Sequence, residues 1–350
     1  MPAYDLCGLG WTDELAASLE ANDIPGRVAA QHRGAYVLYT EGGEIRARVS
    51  GRLAHEAAAP AQLPAVGDWV GFRDGVIHAV LPRRSVFQRT SAGRETLRQV
   101  LAANVDLVFI VASLAGELNV RRVERFLTVA WESGAAPVVV LTKLDLCGDP
   151  ADLVLEVESV ALGTEVIPVS AVTGEGFDRL EQQLLPARTV ALLGYSGVGK
   201  STIVNRLAGR ELLRTREVGE GDEGRHTTSH RELVVLPSGA LVIDTPGMRE
   251  LQLWDGDEGM DASFTDVEEL AVDCRFADCS HTREPGCAVL RAVDEGVLPL
   301  DRLRSYRKLE RELRAMEIRK NVRLRQEETR KWRVRSRAGR ERAKWKRSGR

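Results

Sequence analysis

Residues 194–201 read Gly194-Tyr195-Ser196-Gly197-Val198-Gly199-Lys200-Ser201. The octapeptide fits G-x-x-x-x-G-K-[ST] and lies between an apolar run at 190–193 and a segment of helical spacing at 200–207. Strand, glycine-rich loop and helix in that order form the setting in which this pattern grips phosphate. Glycines let the backbone wrap oxygen atoms without Cβ clashes, so successive N–H groups point inward. The N-terminus of the next helix adds its dipole. Lys200 can reach the β- and γ-phosphates, and the Ser201 hydroxyl can ligate Mg²⁺. The candidate phosphate contacts run from Gly194 through Ser201 to Thr202.

The flanking texture is α/β. Continuous apolar runs at 105–112 and 137–141 suit strands buried on both faces. Shorter runs lie at 166–169, 233–236 and 241–243, and helical spacing covers 120–132 and 151–162. This alternation predicts a mostly parallel sheet with helices on both faces.

Three more motifs sit where strands end. Asp244-Thr245-Pro246-Gly247 follows the run at 241–243. A carboxylate there can hold Mg²⁺ through water, and the Gly247 N–H can report the γ-phosphate. Thr142-Lys143-Leu144-Asp145 follows the run at 137–141. Asp145 can accept hydrogen bonds from N1–H and the 2-amino group of guanine, a donor pair that adenine lacks. The Lys143 stem can lie across the base, and Ser170-Ala171, after 166–169, can offer a backbone N–H to guanine O6. Open α/β sheets bind ligands at these carboxyl ends. Between the phosphate loop and Asp244 lies Gly224-Arg225-His226-Thr227-Thr228-Ser229, in a stretch of glycines and charges that predicts a mobile loop. Thr228 is the candidate to complete the Mg²⁺ shell. The residue after D-x-x-G is Met248, which cannot orient water. His226 is therefore the candidate catalytic residue for that task, with Lys200 catalytic at the phosphates and Arg225 a weaker candidate for charge stabilisation; a surface histidine is the alternative.

Cys274-x4-Cys279-x-His281-x5-Cys287 supplies three thiolates and an imidazole, a set suited to a closed tetrahedral Zn²⁺ site. A module with few apolar residues needs such a staple. Cys7 and Cys147 read as ordinary thiols, and an odd total of five without an export signal argues against disulfides.

Upstream, residues 35–40, 44–49, 68–72 and 76–80 alternate in polarity, and Gly42-Gly43 and Asp74-Gly75 part them as hairpin turns. They predict a small β-barrel. It carries Arg46, Arg48, Arg52 and Arg73 with Tyr36, Tyr39, Trp69 and Phe72, either a base-stacking surface or a packed interior. A short helix over 12–20 has Thr12 as its cap.

The chain has 350 residues, 43% hydrophobic and 29% charged, enough for a packed core. Its net charge of −2 hides an asymmetry: residues 311–350 hold 17 Lys/Arg against 5 Asp/Glu, and the preceding 310 hold 32 against 46. A basic tail on an acidic body points to a polyanion, most simply nucleic acid. No apolar run reaches the ~18–20 residues that cross a bilayer, and no secretory signal is visible, so a cytoplasmic protein is expected.

The motifs occur in the order base, base, phosphate, switch, switch, which is the order of circularly permuted GTPases. With a barrel before and a Cys/His module after, the chain resembles the RsgA (YjeQ-like) family, GTPases of small-ribosomal-subunit biogenesis. The resemblance implies an OB-fold barrel within 1–95, a circularly permuted GTPase domain at 96–254, a zinc-binding domain at 255–310 and a basic helical tail at 311–350. It implies GTP hydrolysis in late 30S maturation, binding to 16S rRNA and the small subunit, one structural Zn²⁺, Mg²⁺ with GTP, and a monomer. Two departures stand out. Thr142 replaces the common Asn, which removes a loop-bracing amide, and Thr227-Thr228-Ser229 replaces three threonines. An RNA-binding scaffold with a structural nucleotide is the alternative, kept open by Met248.

Overall fold

Short strands closed by tight turns build the first unit, described here from a computed structural model that covers residues 3–32, 34–57, 60–90, 98–116, 118–212, 232–244, 263–276 and 279–320. The strands are β1 (Ile24–His32), β2 (Ala35–Thr40), β3 (Gly43–Val49), β4 (Trp69–Arg73) and β5 (Val76–Val80). They run β1-β2-β3-β5-β4, and β4 pairs back onto β1, closing an OB-like barrel in which only β3 and β5 are parallel. Closure removes exposed strand edges. Val28, Tyr36, Leu38, Val70, Phe72 and Ile77 fill the interior. The β4–β5 turn uses Asp74 and Gly75 at φ +49° and +71°, the left-handed pair that a two-residue hairpin needs. The aromatics therefore serve the core: Tyr36, Trp69 and Phe72 are buried, and Tyr39 stacks on Tyr4 at 4.2 Å. Arg46 and Arg48 remain exposed on β3.

Strand β1 was not legible in the sequence. Its Pro25, Gly26 and Arg27 break the two-residue period, and a bulge at Val28–Ala30 shifts its register. A hairpin of β6 (Val86–Thr90) and β7 (Arg98–Ala103) then leads to the central sheet.

The sheet contains β8 (Leu107–Ser113), β9 (Ala136–Thr142), β10 (Val166–Pro168), β11 (Thr189–Leu193), β12 (Glu232–Val235) and β13 (Leu241–Asp244). Their order is β10-β9-β8-β11-β13-β12, parallel except for β12. The chain enters mid-sheet at β8, runs out to β10, then returns to place β11 beside β8. Alternate residues face opposite layers. Val108, Ile110 and Val139 pack with Val123, Phe126 and Leu127 of α3 (Val120–Glu132). Phe109, Val111 and Val138 pack with Phe177 and Leu180 of α5 (Phe177–Gln182) and Ile203 of α6 (Lys200–Ala208). The remaining early helices are α1 (Asp13–Ala17), capped by Thr12, α2 (Gly51–Glu56) and α4 (Ala151–Glu158).

The barrel joins the sheet along its β12 edge. Ala30 of β1 pairs with Glu232 of β12. Arg27, fully buried, donates to Thr189 Oγ1 at 2.7 Å and to Leu9 O, and lies over the Trp69 ring. Burial pulls its pKa down to about 10.

Beyond 263 the regular elements among the described residues are helices: α7 (Thr265–Ala271), α8 (Ala288–Asp294) and α9 (Leu300–Lys320). Phe264, Val267, Leu303 and Tyr306 belong to the same core as α3. Among the described residues, no helix is long and apolar enough to cross a membrane.

Candidate nucleotide and metal sites

The phosphate loop starts where β11 ends. Gly194 has φ +146°, and a Cβ there would lie 2.4 Å from Val111 O on β8, so no side chain fits. Gly197 and Gly199, at φ +81° and +97°, complete the turn into α6. Lys200 Nζ donates to Gly194 O at 2.7 Å and Tyr195 O at 2.6 Å, which holds the ammonium against the loop. Ser201 and Thr202 occupy the first turn of α6, beside Ser196 and Val198 of the loop in sequence. The Tyr195 ring rests against Phe126, with the Arg122 guanidinium 4.4 Å from its centroid; both partners are on α3.

Thr142 closes β9 beside this loop. Its Oγ1 lies 2.6 Å from Val198 O and 3.1 Å from Ala112 O, so the single hydroxyl proton is shared with the phosphate loop. The bracing role expected to vanish with the asparagine amide is thus kept by a hydroxyl. Lys143 has φ +60° and turns the chain into a short 3-10 segment, Leu144–Leu146. Leu144 N–H donates to Val169 O at 3.2 Å, tying this turn to the loop after β10. Asp145 is exposed, and its Oδ1 accepts from Ser170 Oγ at 2.6 Å. Ser170 is buried and its Oγ accepts from Thr173 N–H at 3.1 Å. Ser170 N–H goes to Glu175 O at 2.9 Å. The loops after β9, β10 and β11 thus meet at one end of the sheet, with the Asp145 carboxylate on the first of them. Asp244 ends β13 opposite Glu232. Arg225, His226, Thr228, Gly247 and Met248 lie outside the described residues.

The Cys/His group converges as its spacing predicts. Ligand atoms of Cys274, Cys279, His281 and Cys287 all lie within 4.8 Å of one another. Cys274 Sγ is 3.8 Å from Cys287 Sγ, and His281 Nδ1 lies 3.6 and 3.4 Å from those two sulfurs. A tetrahedral centre with metal–sulfur bonds near 2.3 Å has edges of about 3.8 Å, so these residues fit a metal ion. His281 reaches the cluster from a left-handed φ of +50°. Burial pushes the Cys274 thiol up, but hydrogen bonds from the Val289 and Ala288 N–H groups and from the Cys287 and Cys279 thiols together outweigh it, and the net shift is down, toward thiolate. Leu290 N–H donates to Cys287 Sγ at the start of α8.

A family model described as "RsgA GTPase" matches residues 80–254, half of the chain. The chain belongs to the RsgA GTPase family. A second model, "50S ribosome-binding GTPase", matches 189–321. A relative from Lactiplantibacillus plantarum, small ribosomal subunit biogenesis GTPase RsgA 2, is 48% identical over 317 residues, 88% of this chain and 89% of the relative. The Streptomyces coelicolor RsgA is 43% identical over 347 residues, 97% and 94% of the two chains. The crystal structure of YjeQ from Thermotoga maritima matches with a TM-score of 0.62 at 28% identity, covering 83% of this chain and 98% of that one. YloQ, described as a circularly permuted GTPase, matches at 0.61 and 25% identity over 85% and 96%. The return of β11 to the sheet centre is how this chain carries a phosphate loop that follows its base-reading motifs in sequence.

Proposed function

We propose that this protein hydrolyses GTP to GDP and phosphate in late maturation of the small ribosomal subunit, binding the 30S particle and its 16S rRNA in a nucleotide-dependent way. The observation that carries this reading is one junction: the Asp145 carboxylate, set by Ser170, stands on the loop that Thr142 ties to Val198 of the phosphate cradle.

Asp145 reads N1–H and the 2-amino group of guanine, and the Lys143 stem covers the base. Since Ser170 N–H is committed to Glu175 O, Ala171 N–H is the one that meets O6. Backbone N–H groups from Gly194 to Gly199 surround the β-phosphate, and Lys200 exchanges its loop carbonyls for β- and γ-oxygens. Mg²⁺, when bound with the nucleotide, neutralises charge on the β- and γ-phosphates. Ser201, Thr228 and Asp244 would hold it, and the Gly247 N–H would meet the γ-phosphate. A water oxygen bonds to the γ-phosphorus as its bond to the bridging oxygen breaks; the bridging oxygen leaves on GDP with the electron pair, and the water's proton passes to a phosphate oxygen. Met248 offers that water no hydrogen bond, so His226 orients it.

The Cys274–Cys279–His281–Cys287 group would hold one structural Zn²⁺. Residues 1–95, 96–254, 255–310 and 311–350 act as barrel, GTPase, zinc domain and rRNA-binding tail of a cytoplasmic monomer. The chain passes from Gly247 almost directly into the zinc domain, so γ-phosphate loss alters that domain's hold on the particle. A scaffold with a merely structural nucleotide is disfavoured by the intact Lys200 and Ser201. Turnover of GTP and ATP, each with and without 30S subunits, tests the reading. GTP hydrolysis should rise with subunits and ATP hydrolysis should not; equal use of both nucleotides would remove the guanine assignment.

A further inference from the structure

The loop after β10 is gripped from the phosphate-binding helix. Arg206 of α6 donates from Nη1 to Ala171 O at 2.6 Å. Its guanidinium also lies over the Phe177 ring, 4.8 Å from the centroid. Gly174 has φ +91°, and a Cβ there would stand 2.4 Å from Arg206 Nη2, so the glycine makes room for the fork. Gly174 N–H in turn donates to Ser170 O at 2.9 Å, which orients the peptide that carries Ala171 N–H. The peptide on each side of Ala171 is therefore pinned, one through Gly174 and the other by Arg206 itself. Planar guanidinium suits this double duty of stacking and donating in one plane.

We propose that Arg206 is a positioning residue for guanine recognition. It fixes Ala171 N–H against O6 of the base, from the same helix whose first turn holds the phosphates. Base and phosphate contacts then share one rigid support, and neither loop can shift without the other. The proposal rests on the guanine site assigned above. It makes Arg206 specific for the O6 contact and leaves Asp145 to read the N1 and 2-amino edge.

The test uses the full chain with GDP, ADP and 6-thio-GDP, in which a weakly accepting sulfur replaces O6. Wild type should prefer GDP to ADP, and should bind 6-thio-GDP about tenfold more weakly than GDP, the worth of one good hydrogen bond. In Arg206→Ala, GDP binding should weaken by about tenfold and the GDP to 6-thio-GDP ratio should fall toward one, with kcat kept and KM raised. Arg206→Met, which keeps an apolar stem over Phe177, should behave the same, and Arg206→Lys should recover part of the ratio. A merely stabilising clamp would weaken both nucleotides equally. An unchanged ratio in the Ala and Met variants overturns the role of Arg206 while the guanine site stands. Wild type without preference for GDP over ADP overturns both.

Discussion

Arg302 Nη1 donates to Glu124 Oε1 at 2.8 Å, and both side chains are only 3% exposed. The contact joins α9 of the C-terminal region to α3 of the central sheet. Arg302 also grips both carboxylate oxygens of Asp266 and donates to Ser263 O, with its guanidinium over Phe264. One arginine thus fastens the region of the Cys/His cluster to the helix whose Arg122 and Phe126 hold Tyr195 of the phosphate loop.

Removing one partner of such a pair leaves a buried charge uncompensated. Arg302→Ala should destabilise the protein by about 3–5 kcal/mol. Denaturant unfolding should show it, with the C-terminal helices becoming protease-sensitive before the central sheet. A loss below ~1 kcal/mol would mean that the pair is screened, as exposed pairs are.

Thr142 predicts a second outcome. Thr142→Val keeps the shape but removes the proton shared with Val198 O. GDP affinity should fall about tenfold, because a half-buried carbonyl loses its donor and two loops lose their tie. Thr142→Asn should bind within about threefold of wild type, since an amide can supply the same donor. Equal binding by the Val variant would show that the brace is idle.

His226→Ala separates binding from chemistry. GDP affinity should be unchanged and 30S-stimulated turnover should drop at least ~10²-fold, the usual worth of a positioned acid–base group. Full stimulated turnover in the variant would remove the assignment.

Elemental analysis should find one zinc per chain, and Cys279→Ser should lower both zinc content and thermal stability of the C-terminal helices. Preparations free of metal yet equally stable would contradict a structural site.

Glu284 gives a pH dependence beside that cluster. Hydrogen bonds from Ser280 Oγ first, then from the N–H groups of Arg283 and Thr282, hold its carboxyl well below the usual carboxylate range. A depressed folded-state value contributes stability that is present above the ordinary carboxylate pKa and is lost as pH falls below it. In Glu284→Gln this acid-dependent part of the 280–284 turn's stability should be missing. Parallel acid-unfolding curves for the two proteins would show that the turn holds without the charge.

The local patterns were readable because each is complete within a short stretch. Gly194 to Ser201 carries its own strand, turn and helix, continuous apolar runs mark β8 and β9, and the four zinc-ligand candidates fall within fourteen residues. Polarity and turn residues marked four of the five barrel strands. β1 escaped because pairing with β2, β4 and β12 supports its backbone from outside, so its own residues need not show a strand period.

Sequence alone determined the chemistry available: which side chains can take phosphate, guanine or metal, and in what order the chain supplies them. Tertiary structure decided how those groups are held to one another. Thr142 meets Val198 across 56 positions, Arg206 meets Ala171 across 35, and Arg302 meets Glu124 across 178. No local period encodes such contacts. The first two exist because parallel strands bring distant loops to one sheet end; the third exists because α9 packs on α3, where buried charges must find partners.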